Sequence, residues 1–288
     1  MTSLVIPHDD LVTVRRRLHA APELSMVEHD TAAFVAEALR ALELDEVRTG
    51  IGVTGVLGTL RGGKPGPVTL LRADMDALPI AELNDVPYRS QRSGVMHACG
   101  HDGHVSILLA AARTLAARRA EVPGTLVFCF QPGEEGYAGA KKMIADGALE
   151  HPHVERTFAL HLYSGLDVGK IGVHDGAFFA SADEFDLTIR GKGGHGAMPQ
   201  LAVDPIATGA YVVAALQTIV SREIAPKDPA VLTVGQFVSG TTYNVIPDQA
   251  TMKGTVRAFD AAVRASMPER MERILRGMAE ALRFEYDF

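Results

Sequence analysis

The sequence predicts an α/β chain of two domains, and three observations carry that expectation. At 288 residues, 47% hydrophobic and 22% charged, it has ordinary globular composition and enough length for two cores. Between residues 10 and 162, strand-length apolar runs alternate with helical patterns, the order of α/β layering. Past residue 182 the order becomes β-α-β-β-α, which predicts a small two-layer domain with helices over an antiparallel sheet. The boundary is placed at 180–183, giving domains 1–181 and 182–288.

In chain order, 10–20 and 27–42 read as amphipathic helices; in the second, Ala32, Phe34, Val35, Ala38 and Leu39 recur with helical spacing. Residues 55–60 and 68–73 read as strands around the turn 62–66, the second apolar enough to be covered on both faces. A helix is expected over 105–119, with His104, Ile107, Leu108, Ala111 and Leu115 on one stripe. A buried strand over 125–130, a helix over 138–146 and a strand over 157–162 follow. In the second domain 184–189 alternates like a strand with one solvated face. Asp204 and Pro205 supply the N-cap and first position of a helix running through Glu223. Strands over 230–238 and 249–258 precede a final helix from about Asp260 to Leu282.

The formal charge of −7 and the lack of a basic block argue against nucleic acid as a partner. Arg15-Arg16-Arg17 reads as the solvated face of the first helix. Two cysteines cannot form a disulfide framework in a chain this long, and a reducing, cytoplasmic setting is expected. Residues 1–10 lack the pattern of a secretion signal, and no run has the length to span a bilayer, so no membrane partner is expected.

The chemistry concentrates in Met96-His-Ala-Cys-Gly-His-Asp-Gly-His104. A thiolate at Cys99 and an imidazole at His101 can reach one divalent cation. Gln131-Pro-Gly-Glu-Glu-Gly136 follows, and then His161 at the end of an apolar run. Of the two adjacent carboxylates, one can bind metal while the other takes a proton from water and returns it to a leaving amine. A solvated acidic turn is the plain alternative for Glu134-Glu135, and a buried cysteine beside a surface histidine is the plain alternative for Cys99 and His101. A Cys–His nucleophile is a third reading, which leaves the glutamates and His161 without roles. Asp76, at the end of a buried strand, can orient a ligand histidine or merely cap the strand. His195 on the loop Gly191-Lys-Gly-Gly-His-Gly196 can donate to a developing oxyanion. Asn244 and Arg257 can hold a carboxylate or carbonyl, although a lone surface Arg is common.

Together these segments resemble the M20 metallopeptidase family, in its amidohydrolase branch of N-acyl-amino-acid, hippurate and auxin-conjugate hydrolases. The matching stretches are Arg16–His19 with Pro22–Ser25, then 50–55, 72–79, 96–104, 131–136, 193–199 and 244–257, in the family's order. The resemblance implies a zinc-peptidase-like catalytic domain with an inserted α+β lid that pairs subunits into a homodimer. It implies two divalent ions per subunit (Zn, Mn, Co or Ni), with Cys99, His101, Glu135 and His161 as ligands and Asp76 behind them. It further implies Glu134 as general base toward metal-bound water, His195 as the lid histidine serving the partner subunit, and Asn244 and Arg257 as substrate contacts. Where the wider family has a metal-binding histidine, this chain has Asp74.

Family members continue after the lid with more of the catalytic domain and a last histidine ligand, whereas this sequence ends at Phe288. The catalytic domain is therefore expected to be incomplete and to expose apolar sheet surface. The expected activity is hydrolysis of the amide bond of N-acyl amino acids. The alternatives are a dipeptidase or aminoacylase with the same site, and a truncated, non-catalytic metal-binding remnant.

Overall fold

The computed structural model describes residues 8–288, so most of the segment read for a secretion signal lies outside the described residues. Contacts divide the chain into Met1–Asp167 and Val168–Phe288. Residues 168–181, grouped with the first domain on sequence, fall with the second unit.

The first unit contains helices α1 (His8–Ala20) and α2 (His29–Arg40), then strands β1 (Glu46–Ile51), β2 (Gly55–Arg61) and β3 (Lys64–Asp74). Helix α3 (His101–Ala117), β4 (Pro123–Gln131), α4 (Gly139–Ala145) and β5 (Arg156–Ala159) complete it. The sheet order is β1-β2-β4-β3-β5, and β2 and β3, although joined by a short turn, are not neighbours. Strand β4 lies between them, antiparallel to β2 and parallel to β3. Its composition explains the central place: Val127, Phe128, Cys129 and Phe130 are all buried, so both of its faces need cover. Phe128 and Phe130 join the core with Val35 and Leu39 of α2 and Val105, Leu108 and Ala112 of α3. Val127 and Cys129 point the other way, into a smaller cluster with Leu57, Leu70 and Met143.

Strand β1 was not expected from the sequence, because Val47 and Ile51 are the only strongly apolar residues in Glu46-Val-Arg-Thr-Gly-Ile51; antiparallel pairing with β2 makes it a strand. Several ends also differ from expectation, and β3 begins at Lys64, inside the expected turn 62–66. Helix α3 starts four residues early, at His101, because Gly100 takes a left-handed conformation (φ +88°) that turns the chain into the helix. Strand β5 stops at Ala159 and leaves His161 beyond it.

In the second unit, β6 (Asp183–Arg190) and β7 (Gly194–His195) precede α5 (Pro205–Thr218), and β8 (Ala230–Ser239), β9 (Val245–Ile246) and β10 (Gln249–Ala258) follow it. Helix α6 (Ala261–Leu282) and a short β11 (Glu285–Asp287) end the chain. The four-stranded sheet runs β11-β6-β10-β8, antiparallel throughout, and β7 pairs with β9 in a separate ladder. Val212 and Leu216 of α5 and Met267, Met271 and Leu275 of α6 pack on Leu187, Ile189, Leu232 and Met252 of the sheet. The expected helix through Glu223 gives way after Thr218 to a wider π turn over Ile219–Glu223.

Both long helices of this unit start on an aspartate cap. Asp204 accepts from the backbone N–H groups of Ile206 and Ala207, and Asp260 from those of Ala262 and Val263. Asp204→Ala and Asp260→Ala are each expected to cost about 1 kcal/mol. The losses should add in the double variant, because the caps share no partner. Urea denaturation of the single and double variants checks both statements.

Candidate active site

The parallel pairing of β3 with β4 sets Asp74 opposite Gln131, so both strands leave the sheet at the same edge. Strand β3 continues into Met75-Asp76, and β4 into the turn Pro132-Gly133-Glu134-Glu135. Strand β5 is parallel to β3 and ends just before His161, at that edge. The start of α3 supplies His101, with Cys99 just before it. Ligand-rich loops at the carboxyl ends of such strands are the usual location of an α/β site.

The side chains converge there. Cys99, His101 and His161 present donor atoms within 4.8 Å of one another, and so do His101, Glu134 and Glu135. Cys99 Sγ is 3.4 Å from His161 Nε2. His161 Nδ1 lies 2.6 Å from the carbonyl of Leu162, to which its N–H donates, so Nε2 keeps the lone pair a cation needs. His101 Nδ1 lies 3.3 Å from Asp76 Oδ1, which turns Nε2 toward Asp74 (3.6 Å) and Glu135 (3.9 Å). Asp76 Oδ2 in turn accepts from Ser25 Oγ (2.6 Å) and the backbone N–H of Glu135 (3.0 Å).

The electrostatics favour a cation at this point. Burial opposes a charged ring at His101, yet Asp76, Cys99 and Asp74 outweigh it and push its pKa up to about 11. Burial likewise opposes ionisation of Asp76, but the His101 ring 3.3 Å away, together with Ser25 and the backbone of Glu135 and Glu134, holds its carboxyl at about 2. Both His101 ring nitrogens and Asp76 Oδ1 are buried without a well-formed hydrogen bond among the described residues. One thiol, two imidazoles and adjacent carboxylates around orphaned nitrogens fit a divalent metal ion. At the rim, partial burial and the neighbouring Glu135 and Asp74 carboxylates raise the pKa of Glu134, which suits a proton acceptor.

Asp74 is committed elsewhere. It pairs with Arg72 at 2.8 Å and accepts from His104 Nδ1 at 2.6 Å. His104 Nε2 then accepts the backbone N–H of Leu162 at 2.9 Å, next to His161. His104 is thus a satisfied core histidine that braces the loop after β5.

His195, Asn244 and Arg257 lie on the second unit. His195 pairs with Val245 across the β7–β9 ladder, and Gly196 N–H donates to the carbonyl of Asn244 at 2.9 Å, so these two sites are neighbours. His195 Nδ1 accepts from Ala197 N–H at 3.0 Å, leaving Nε2 to carry the ring proton. Arg257 is not beside them. It lies eight residues along β10 from Gln249, about 27 Å at roughly 3.4 Å per residue, and donates to Thr255 Oγ1.

Two residues that support the site were not singled out from the sequence. Ser25 binds Asp76, and Glu28 binds the turn preceding Glu134. Ser25 lay inside a stretch that carried the family resemblance, but no local pattern reveals that either residue faces the site.

An α/β sheet delivering a thiol, imidazoles and carboxylates to one edge defines a metal-dependent hydrolase. The particular family is shown by comparison: Peptidase family M20/M25/M40 matches residues 70–281, and the chain belongs to that family, as a hydrolase acting on amide bonds. It is 46% identical over 283 residues to the N-acyl-L-amino acid amidohydrolase of Geobacillus stearothermophilus, covering 97% of this chain and 75% of that protein. It is 42% identical over 268 residues to the hippurate hydrolase of Campylobacter jejuni, covering 93% and 69%. Among solved structures, the Bacillus subtilis YXEP protein, described as a dinuclear metal binding peptidase of the M20 family, superposes with a TM-score of 0.80. That pair is 38% identical, over 97% of this chain and 72% of the other.

The two thiols should behave differently. Burial pushes Cys129 up to about 12, so it is expected to resist iodoacetamide at pH 8 until the protein unfolds. Cys99, only partly buried, should react in the native state and be protected by added Zn²⁺. Peptide mapping by mass spectrometry reads both outcomes.

Proposed function

We propose that the chain hydrolyses the amide bond of N-acyl amino acids, with Glu134 as general base and Cys99, His101, Glu135 and His161 as metal ligands. The observation that carries this reading is the division of labour between adjacent glutamates. Glu135 has its backbone pinned to Asp76 and its carboxylate 3.9 Å from His101 Nε2, while Glu134 stands at the rim with a raised pKa. The activities named for the relatives support the substrate class.

Divalent ions bound here would polarise the substrate carbonyl and acidify the attacking water. Glu134 takes the proton of that water and delivers it to the leaving nitrogen, so one carboxylate serves both halves of the reaction. Asp76 holds the His101 ring, and His104 and Leu162 hold His161, so the donors need not reorganise during turnover. A thiolate among the donors favours Zn²⁺ and accommodates Co²⁺, Ni²⁺ or Mn²⁺, with two ions per subunit. Free Cys99 and Cys129 suit a reducing compartment such as the cytoplasm.

The second unit would act as the lid and dimerisation domain. Its support is β8, an open sheet edge of ten residues with Val231, Phe237 and Val238 exposed, which a second copy can extend. His195 of one protomer would then donate its Nε2–H to the oxyanion in its partner's site, with Asn244 beside it to hold substrate. Arg257 remains a candidate for the substrate carboxylate, at a position separate from that pair.

Release of free amino acid from N-acetyl and N-benzoyl amino acids, with Zn²⁺ or Mn²⁺ and with chelator, tests the reading. Metal-dependent release is expected, and Glu134→Gln should retain metal while losing about 10²- to 10⁴-fold in kcat. Undiminished turnover in that variant would remove Glu134 as the base. No release by folded, metal-loaded protein would defeat the substrate assignment.

A further inference from the structure

Glu28 is fully buried, and its carboxylate makes three hydrogen bonds, to three different loops. Oε1 accepts from the backbone N–H groups of Met26 (2.9 Å) and Gly133 (2.8 Å), and Oε2 from the hydroxyl of Thr54 (2.5 Å). Each loop bends sharply beside this carboxylate: Met26 has φ +68°, Val53 has φ +92° and Gly133 has φ +55°. A left-handed, β-branched Val53 persists only where its surroundings hold it. At Gly133 the left-handed backbone is itself the constraint, one that a side chain would strain. The Glu28 side chain offers its acceptors to donors that would otherwise be buried unpaired. Gly133 directly precedes Glu134 and Glu135. Ser25, three residues before Glu28, binds Asp76, so the turn between α1 and α2 grips both strand ends that build the site.

We propose that Glu28 is a positioning residue that fixes the turn bearing Glu134 and Glu135. The proposal rests on the reading of Glu135 as a metal ligand and Glu134 as the base. Glu28 touches neither substrate nor metal; it acts through the backbone of Gly133. Its amide counterpart can preserve the arrangement, because a glutamine oxygen accepts both N–H groups and its NH₂ donates to Thr54 Oγ1. Aspartate keeps the charge but is one methylene short, and cannot reach all three loops.

The test is Co²⁺ titration of the full chain, followed through cobalt–thiolate absorption, beside kcat and KM measured well below the melting temperature of each variant. Glu28→Asp is expected to weaken Co²⁺ binding about 10- to 100-fold, as loss of outer support for metal ligands does. It should lower kcat by a similar factor with KM within about threefold, the mark of a misplaced reacting group. Glu28→Gln should stay within about threefold on every readout. Wild-type Co²⁺ affinity and kcat in Glu28→Asp would overturn the proposal, and so would an equal loss in Glu28→Gln, which can keep all three hydrogen bonds. If Glu28→Asp does not fold, Thr54→Val, which removes a single hydrogen bond, is read in its place; at least about a threefold loss of Co²⁺ affinity is expected, and none would overturn the proposal. Glu135→Ala separates the two readings. Unchanged Co²⁺ binding there defeats the ligand assignment, whereas weakened binding there with an intact Glu28→Asp defeats the brace alone.

Discussion

The parallel pairing of β3 and β4 is the constraint on which the site depends. Because Ala73 faces Phe130 and Asp74 faces Gln131, both strands end level, and the residues after them emerge together. Antiparallel pairing would send one set of carboxylates to the opposite edge of the sheet. The parallel arrangement requires a crossover, and α3 is that crossover. Its first residue is His101, delivered to the edge where the two strands finish. One topological choice therefore brings Asp76, His101, Glu134 and Glu135 together from segments distant in sequence.

Burying so much charge is costly unless each group has a partner, and the first unit answers with a belt of ion pairs and hydrogen bonds. Asp74 is held by Arg72 and His104. Asp102, next to His101, turns the other way and binds Arg15 and His19 of α1, tying the start of α3 to its neighbour. Glu23 accepts from the backbone of Thr31 and pairs with Arg92. Against that background, the ring nitrogens of His101 lie near Asp76, Asp74 and Glu135 without a well-formed hydrogen bond among the described residues. They occur where the surrounding carboxylates make a positive charge most favourable, which is how a cation site differs from a stabilising salt bridge.

Much of this was legible locally. The apolar runs that became β3 and β4, the helical stripes of α2 and α3 and the aspartate caps of α5 and α6 follow from periodicity and capping chemistry, which act over a few residues. The dense cluster 96–104 and the paired glutamates announced the metal chemistry. Strand β1 and the end of β5 were not legible, because pairing with a partner strand, rather than their few apolar residues, sets where they run. The early start of α3 was missed because a left-handed Gly100 overrides the propensities of the residues after it.

By itself, then, the sequence determined where metal-binding residue types cluster and which segments form buried strands and helices, since residue type and short-range periodicity suffice for both. Only the tertiary structure decided the insertion of β4 between β2 and β3, the partner that orients each site histidine, and the commitment of Asp74 to Arg72 and His104. It also decided that Ser25 bonds Asp76 and Glu28 bonds Gly133, and that Arg257 lies away from Asn244. The reason is that these outcomes depend on which strands pair and which side chains the fold brings together, many of them dozens of residues apart, and no local pattern encodes that choice.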